Sequence, residues 1–259
     1  MITRLLTLCL ALPLLASCGG RYARPRDFSD DPARIHKALE ERRTQVSALS
    51  GELSLEIWES DKRVRARQLF ATLPPHRLRV DTLSPFEQPI STLIIHETRL
   101  ALHELNQRRF RVGEPNAEHL GKLSRIHLDP AALATALSGQ PPLIQAQGGE
   151  IQWDTERGLY LLTLTSERSP IADKEELWIR ASDYTVVELR LYRDQQLEVK
   201  LQLTDYTSSE PKLPQRMRFT LPKQDVRVEV KLKDFALNPD LPDEAFVITS
   251  PPGLSPEPI

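Results

Sequence analysis

From Gly51 onward the chain alternates apolar and polar residues with a period of two. Leu53, Leu55 and Ile57 alternate with Glu52, Ser54 and Glu56; Leu78 and Val80 with Arg77, Arg79 and Asp81; Phe110 and Val112 with Arg109 and Arg111. That period puts the apolar side chains on one face, so each run predicts a half-buried antiparallel strand. The pattern resumes over 159–165, at Leu177 and Ile179, and over 187–191, 197–204 and 217–221. It is clearest where Val226, Val228, Val230 and Leu232 alternate with Arg227, Glu229, Lys231 and Lys233. Two runs, 90–95 and 100–105, carry apolar residues on both faces and predict strands covered on both sides.

Helical spacing occurs before and between the strand groups. Asp31-Pro32 is a capping residue followed by proline at the first helical position, and Ile35, Leu39, Val46 and Leu49 then follow a helical stripe. Asp129-Pro130 repeats the signal, with Leu128 and Leu133 at the positions of a hydrophobic staple and Gly139 as the stop before Pro141-Pro142. A further helix is expected over Ala117–Leu123. The sum is a mainly β fold with α: one large antiparallel sheet of ten or eleven strands, polar outward, with two or three helices over its other face. From Pro239, six prolines in 21 residues predict no regular structure, only an extended tail that clasps the sheet or hangs free.

Composition narrows the function. The 34 Lys and Arg are interspersed among 36 Asp and Glu, for a net charge of −2, which leaves no basic face of the kind nucleic-acid binding needs. Arg4 and the apolar stretch from Leu5 to Leu15 form a signal-peptide pattern, too short to span a bilayer about 30 Å thick. It ends Leu15-Ala16-Ser17-Cys18, which resembles the bacterial lipobox. Cleavage there discards Cys9, leaves Cys18 to be lipidated and leaves no thiol for a disulfide. Gly19 follows the cysteine where Asp would favour inner-membrane retention, so an outer-membrane, periplasm-facing, lipid-anchored protein is expected. The expected division is 1–17 signal peptide, 18–30 lipidated tether, 31–238 domain and 239–259 proline-rich tail.

No catalytic constellation emerges. The six histidines stand in no HExxH or similar metal spacing, and no GxSxG, P-loop or GxGxxG occurs. Neither enzyme activity, nor a cofactor, nor a metal is expected.

The lipobox, the first helix running into Leu49-Ser50-Gly51-Glu52, and a sheet interrupted by His127-Leu128-Asp129-Pro130 through Pro142 together resemble the LolA/LolB-like lipoprotein-carrier superfamily over nearly the whole mature chain. The best local match is His76 to Phe86, similar to the family's strand that enters a loop carrying proline and one protruding apolar residue, here Pro85 and Phe86. The family has glycine next, whereas this chain has Glu87. The resemblance implies an incomplete barrel whose apolar concave face, closed by helices, holds the acyl chains of lipoproteins. Inward strand residues Leu55, Ile57, Val80, Leu201, Leu203, Val228 and Val230, under helices containing Leu39 and Leu133, are the expected lining. The implied function is acceptance of lipoproteins from a periplasmic carrier and their insertion into the outer membrane, with Pro85 and Phe86 as the membrane-inserting loop. A monomer is expected. The alternative is a lipid- or lipoprotein-sensing or accessory module of an outer-membrane complex.

Overall fold

The computed structural model describes residues 21–259 apart from 61, 125 and 147. The signal-peptide and lipidation readings, with Cys9 and Cys18, lie outside the described residues. Helix α1 (Pro32–Arg43) starts at the predicted cap, where the Asp31 carboxylate accepts from the Ala33 N–H at 2.9 Å. It is shorter than the predicted stripe: Val46 falls in the following turn and Leu49 opens the first strand, both still buried. Thr44 and Val46 are β-branched and poor helix formers. The Gln140 side-chain amide donates to the carbonyls of Arg43 and Val46 at 3.1 and 2.8 Å, so ending the helix there leaves those carbonyls satisfied.

Strands β1 (Leu49–Glu59), β2 (Lys62–Leu73), β3 (Arg77–Leu83), β4 (Pro89–His96), β5 (Arg99–Glu104) and β6 (Arg109–Gly113) form one antiparallel meander. Helices α2 (Ala117–Ser124) and α3 (Pro130–Leu137) follow. A second meander comprises β7 (Gly148–Asp154), β8 (Leu159–Thr165), β9 (Lys174–Ile179), β10 (Val186–Arg193), β11 (Gln196–Tyr206), β12 (Pro214–Leu221) and β13 (Val226–Leu237). Pairing of β1 with β13 joins the two, and the two-residue β14 (Glu257–Pro258) adds in parallel to β6. The sheet therefore has 14 strands, and its edges, β7 at one side and β6 with β14 at the other, do not meet. β2 and β7 go beyond the predicted strands. The inner face of β2 carries Val64, Ala66 and Gln68 against arginines, a weak apolar contrast, and β7 opens on Gly148-Gly149.

At the seam Leu53 faces Leu232, Leu55 faces Val230 and Ile57 faces Val228. The register shifts between Gly51 and Leu53, and a Cβ on Gly51 would lie 2.0 Å from the Asp234 carbonyl oxygen, so the two backbones approach only because position 51 is glycine. Inward residues of both meanders merge with α1 and α3 into one core that includes Leu53, Phe70, Leu78, Leu162, Leu177 and Met217. Asp129 caps α3 by accepting from Ala132 N–H at 3.0 Å, and the buried Thr72 hydroxyl of β2 donates to the Ala134 carbonyl at 3.2 Å. The outer face of the second meander and seam is polar. Bonds from Arg67 and Lys233 pull Glu52 down to about 2, while Glu229 is bonded to Arg218 and Lys231 and Glu188 is paired with Arg157, Arg190 and Lys200.

Neither end of the described chain hangs free. At the N-terminal side the Tyr22 N–H donates to the Thr155 carbonyl at 2.7 Å, the Trp153 indole N–H donates to the Tyr22 carbonyl at 3.0 Å, and the Phe28 ring lies 5.0 Å from Tyr160 and 6.2 Å from Trp153. The stretch expected as a tether is thus docked on β7 and β8 from Tyr22 onward. At the C-terminal side the tail crosses the outer face of β3–β6. Arg77 pairs with Asp243, Arg79 donates to the Ala245 carbonyl at 3.2 Å, and Phe246, fully buried, sits among Ile94, His96, Arg99 and Ala101. Arg109 then pairs with Glu257 at 2.7 Å beside β14. This explains the two-faced runs: Ile94 and Ala101 are buried outside by the tail, Ile95 and Leu100 inside by the core. No regular structure is expected here from the prolines, yet the tail holds a 3-10 turn (Asp243–Phe246) after Pro242 and β14, a two-residue edge strand that includes Pro258, where a missing N–H is tolerated.

Because Phe246 fills a closed site, Phe246→Ala is expected to cost about 3–5 kcal/mol, by lost apolar burial and the cavity left behind. Urea unfolding measures this, and proteolytic nicking of the 239–259 segment should accelerate in the same variant.

Candidate functional site

The residues expected to line an acyl cavity all face the concave side. Leu39, Val80, Leu201, Leu203, Val228 and Val230 are buried, and Leu55, Ile57 and Leu133 are partly buried against the same core. The structure brings them together as packed side chains. The space beside them is a cavity of about 40 Å³ lined by Leu39, Val46, Val186, Leu203 and Tyr206, room for little beyond a water.

A larger cavity of about 560 Å³ lies at the helices, within the roughly 300–1,000 Å³ range of ligand sites. α1 contributes His36, Glu40 and Arg43, α3 contributes Pro130, Ala131 and Thr135, and the β2–β3 turn contributes Pro75 and His76. Ile95, the 142–145 segment and Ser169, Pro170 and Ile171 of the β8–β9 loop complete it. Glu97, Pro115 and Asp129 also line it, so its walls are mixed: prolines and aliphatic side chains stand beside polar and charged groups, and part of that charge is spent internally, since Arg43 donates to Glu40 at 2.9 Å. Some of these residues lie on α1, α3 and β4, but the rest sit on turns and loops that carry no periodicity, and no local pattern brings the two sets together. The faint signals were Pro141-Pro142 and Ser169-Pro170, which stiffen the loops that form one wall.

Phe86 stands apart. It is 86% exposed at the tip of the β3–β4 loop, beside exposed Pro85. The loop itself is held: the Ser84 hydroxyl accepts from the N–H groups of Phe86 and Gln88, both at 3.2 Å, and Arg67 donates to Glu87 at 2.9 Å. Glu87 occupies the position where the resembling family has glycine, and it adopts φ 63°, the left-handed conformation that glycine favours. The left-handed turn is thus made here with a side chain present, and an ion pair to Arg67 accompanies it.

Among the described residues no group of three His, Cys, Asp or Glu is placed to hold a metal ion, and no helix is long and apolar enough to cross a membrane. No protein-family model and no curated protein matches the sequence. Solved structures match the fold. A LolA superfamily protein from Nitrosomonas europaea superposes with a TM-score of 0.59 at 15% identity, over 85% of this chain and 99% of that one. A putative outer membrane lipoprotein-sorting protein domain from Vibrio parahaemolyticus gives 0.58 at 10% identity, over 83% and 97%. A DUF1329 family protein from Desulfovibrio piger gives 0.59 at 11%, over 85% and 98%. The curved, unclosed sheet with three helices is thus the LolA-like fold.

One buried acid ties the cavity wall to the sheet. Glu175, on the inner face of β9 opposite Leu164 and Leu191, is fully buried; its Oε2 accepts from the Ile144 N–H at 3.0 Å, and its Oε1 has no partner among the described residues. Burial pushes its carboxyl up to about 8, against the opposing pull of the Ile144 bond and the Arg43 charge, so it is mainly protonated at neutral pH. Below pH 4.5 folded and unfolded chains both hold this proton. Between 4.5 and about 8 only the folded chain does, so this group's contribution falls as pH rises, by up to about 1.4 kcal/mol per pH unit, and is constant above. Glu175→Gln should therefore gain on the wild type progressively across that window and melt above it at pH 8.5. Melting curves taken at each pH unit check this, and a constant difference would show the carboxyl to be ionised throughout.

Proposed function

We propose that this protein is a lipoprotein acceptor of the cell envelope. Anchored through acyl chains on Cys18 at the periplasmic face of the outer membrane, it takes the acyl chains of a lipoprotein from a periplasmic carrier and passes them to the bilayer. The observation that carries the reading is an unclosed sheet with an apolar inner face, covered by short helices that leave a cavity of about 560 Å³ between them and the loops. The fold it shares with a lipoprotein-sorting domain supports it.

In this reading an acyl chain enters at Ala131 and Ile144 and extends beneath α3 toward Leu201, Leu203, Val228 and Val230 as the helix shifts. The sequence of α3, PAALATAL, consists largely of small side chains, and Ala132, Ala134, Ala136 and Leu137 pack into the core, so the acyl chain reaches the inner face only when this helix moves. Each buried methylene contributes about 0.8 kcal/mol, so two or three chains bind without a charged anchor. Phe86, presented on its fixed loop, contributes roughly 1.5–3 kcal/mol when it enters the membrane interface and so opens the route for release.

Two variants test intake and release separately. A fluorescent fatty acid should bind the wild type, and Ala131→Phe, which puts a ring into the cavity, should weaken that binding at least tenfold with unchanged circular dichroism. No binding to the folded wild type would overturn the reading. Phe86→Glu should still accept a lipoprotein from its carrier but deliver it poorly to liposomes, at unchanged melting temperature because the replaced ring is exposed; unimpaired delivery would remove the loop from the mechanism.

A further inference from the structure

Strand register divides the half-barrel into two rims. The Phe86 loop lies on the rim that also carries the β1–β2, β10–β11 and β12–β13 turns, whereas the β7–β8 turn lies on the opposite rim with the β9–β10 and β11–β12 connections. For strands of 7 to 11 residues, the rims stand about 20–35 Å apart. The N-terminal segment docks at the second rim. Tyr22 is bonded to Thr155 and to the Trp153 indole, and its ring covers Gly158 so closely that a Cβ there would lie 2.7 Å from the ring. Gly158 also has φ +68°, which disfavours any other residue.

We propose that the β7–β8 rim is the surface that rests on the anchoring bilayer, and that the docked segment holds the Phe86 rim toward the periplasm until it lets go. The inference rests on Cys18 being the lipid anchor. Four residues from Cys18 to Tyr22 reach at most about 14 Å, less than the distance between the rims. The chemistry at the docked rim suits a phosphate-bearing lipid surface. Arg21 and Arg26 follow the anchor within eight residues and are exposed, while Arg24 between them is paired with Asp30 and lies 3.7 Å over the Phe28 ring; guanidinium groups pair well with phosphates. Tyr22 is 58% exposed among them, an aromatic with a polar tip of the kind that sits at headgroup level. With the segment docked, intake from a carrier takes place facing the periplasm. Once it is released, thirteen residues from Cys18 to Asp31 reach about 45 Å, enough for the Phe86 rim to turn to the membrane.

The mature chain has no cysteine besides Cys18, so single cysteines introduced at Glu156 or at Phe86 can carry a fluorophore in the full lipidated protein. The protein is placed in vesicles of phosphatidylethanolamine and phosphatidylglycerol that carry a headgroup quencher. The label at position 156 should be quenched at least threefold more than the label at position 86. Adding Phe28→Asp, or separately Gly158→Leu, should free the segment and bring the two values together. Quenching at position 86 equal to or above that at 156 with the segment docked would overturn the orientation, and a contrast that survives both releasing variants would overturn the role of the segment. Failure of the protein to float with the vesicles would remove the anchor, and this inference with it, while leaving fatty-acid binding by the cavity standing.

Discussion

An apolar sheet face that its own edges do not close must be covered by other parts of the chain, and the rest of this structure follows from that. β6 and β7 are consecutive strands, yet they form opposite edges of the sheet. The chain between them has to cross the open side, and it does so as α2 and α3, whose buried Leu120, Ala132, Ala134 and Leu137 fill the concavity. Closing the barrel by pairing would satisfy edge backbone groups but expel these helices. Leaving it open makes the cover a separate element, held by burial of its own side chains. α3 is eight residues long, and side-chain anchors at its two ends and middle come from Asp129, Thr72 and Gln140.

Much of this was legible in the residues because the two faces of the sheet differ so strongly. The run from Val226 to Lys233 reads as a strand without ambiguity, and both Asp-Pro pairs cap helices as expected. The apolar runs at 90–95 and 100–105 correctly implied cover on both sides, but not what supplied it: that Phe246 sits on Ile94 and Ala101 follows from the path of the tail, which no local pattern encodes. β2 was illegible because arginines alternate with Val64, Ala66 and Gln68, a low-contrast series whose place is set by its neighbours β1 and β3. The protrusion of Phe86 was implied by the family resemblance of 76–86, whereas its flanking prolines alone were equally compatible with a ring tucked beneath the loop. The larger cavity was not readable, since periodicity says which residues face inward and is silent on whether they touch.

The contrast between the packed inner face and the nearby cavity gives the half-barrel two regimes. Around Leu201, Leu203, Val228 and Val230 the side chains are buried and leave space for little beyond a water beside Leu203, so opening this region requires movement of the cover. Around Ala131 and Ile144 the wall consists of proline-stiffened loops whose spacing is set by backbone and by the single bond to Glu175. An acid kept neutral among Leu164 and Leu191 is a costly way to hold a loop. Its effect is to tie the 142–145 wall to β9 by a hydrogen bond, in addition to the packing of Leu143 and Ile144 in the core.

The seam has a consequence in time. β1 is the first strand to emerge from any directional process, whether synthesis or threading through a membrane, and its partner β13 follows all the others. Until β13 arrives, β1 presents a bare edge, and Leu53, Leu55 and Ile57 lack half of their cross-strand neighbours. β1 through β6 form in order by local hairpins, but the pairing that unites them with the second meander is among the longest-range contacts in the molecule and is slow for that reason. A chain built this way can assemble its first half early, but the inner face of that half stays uncovered along β1 until the last long strand is made.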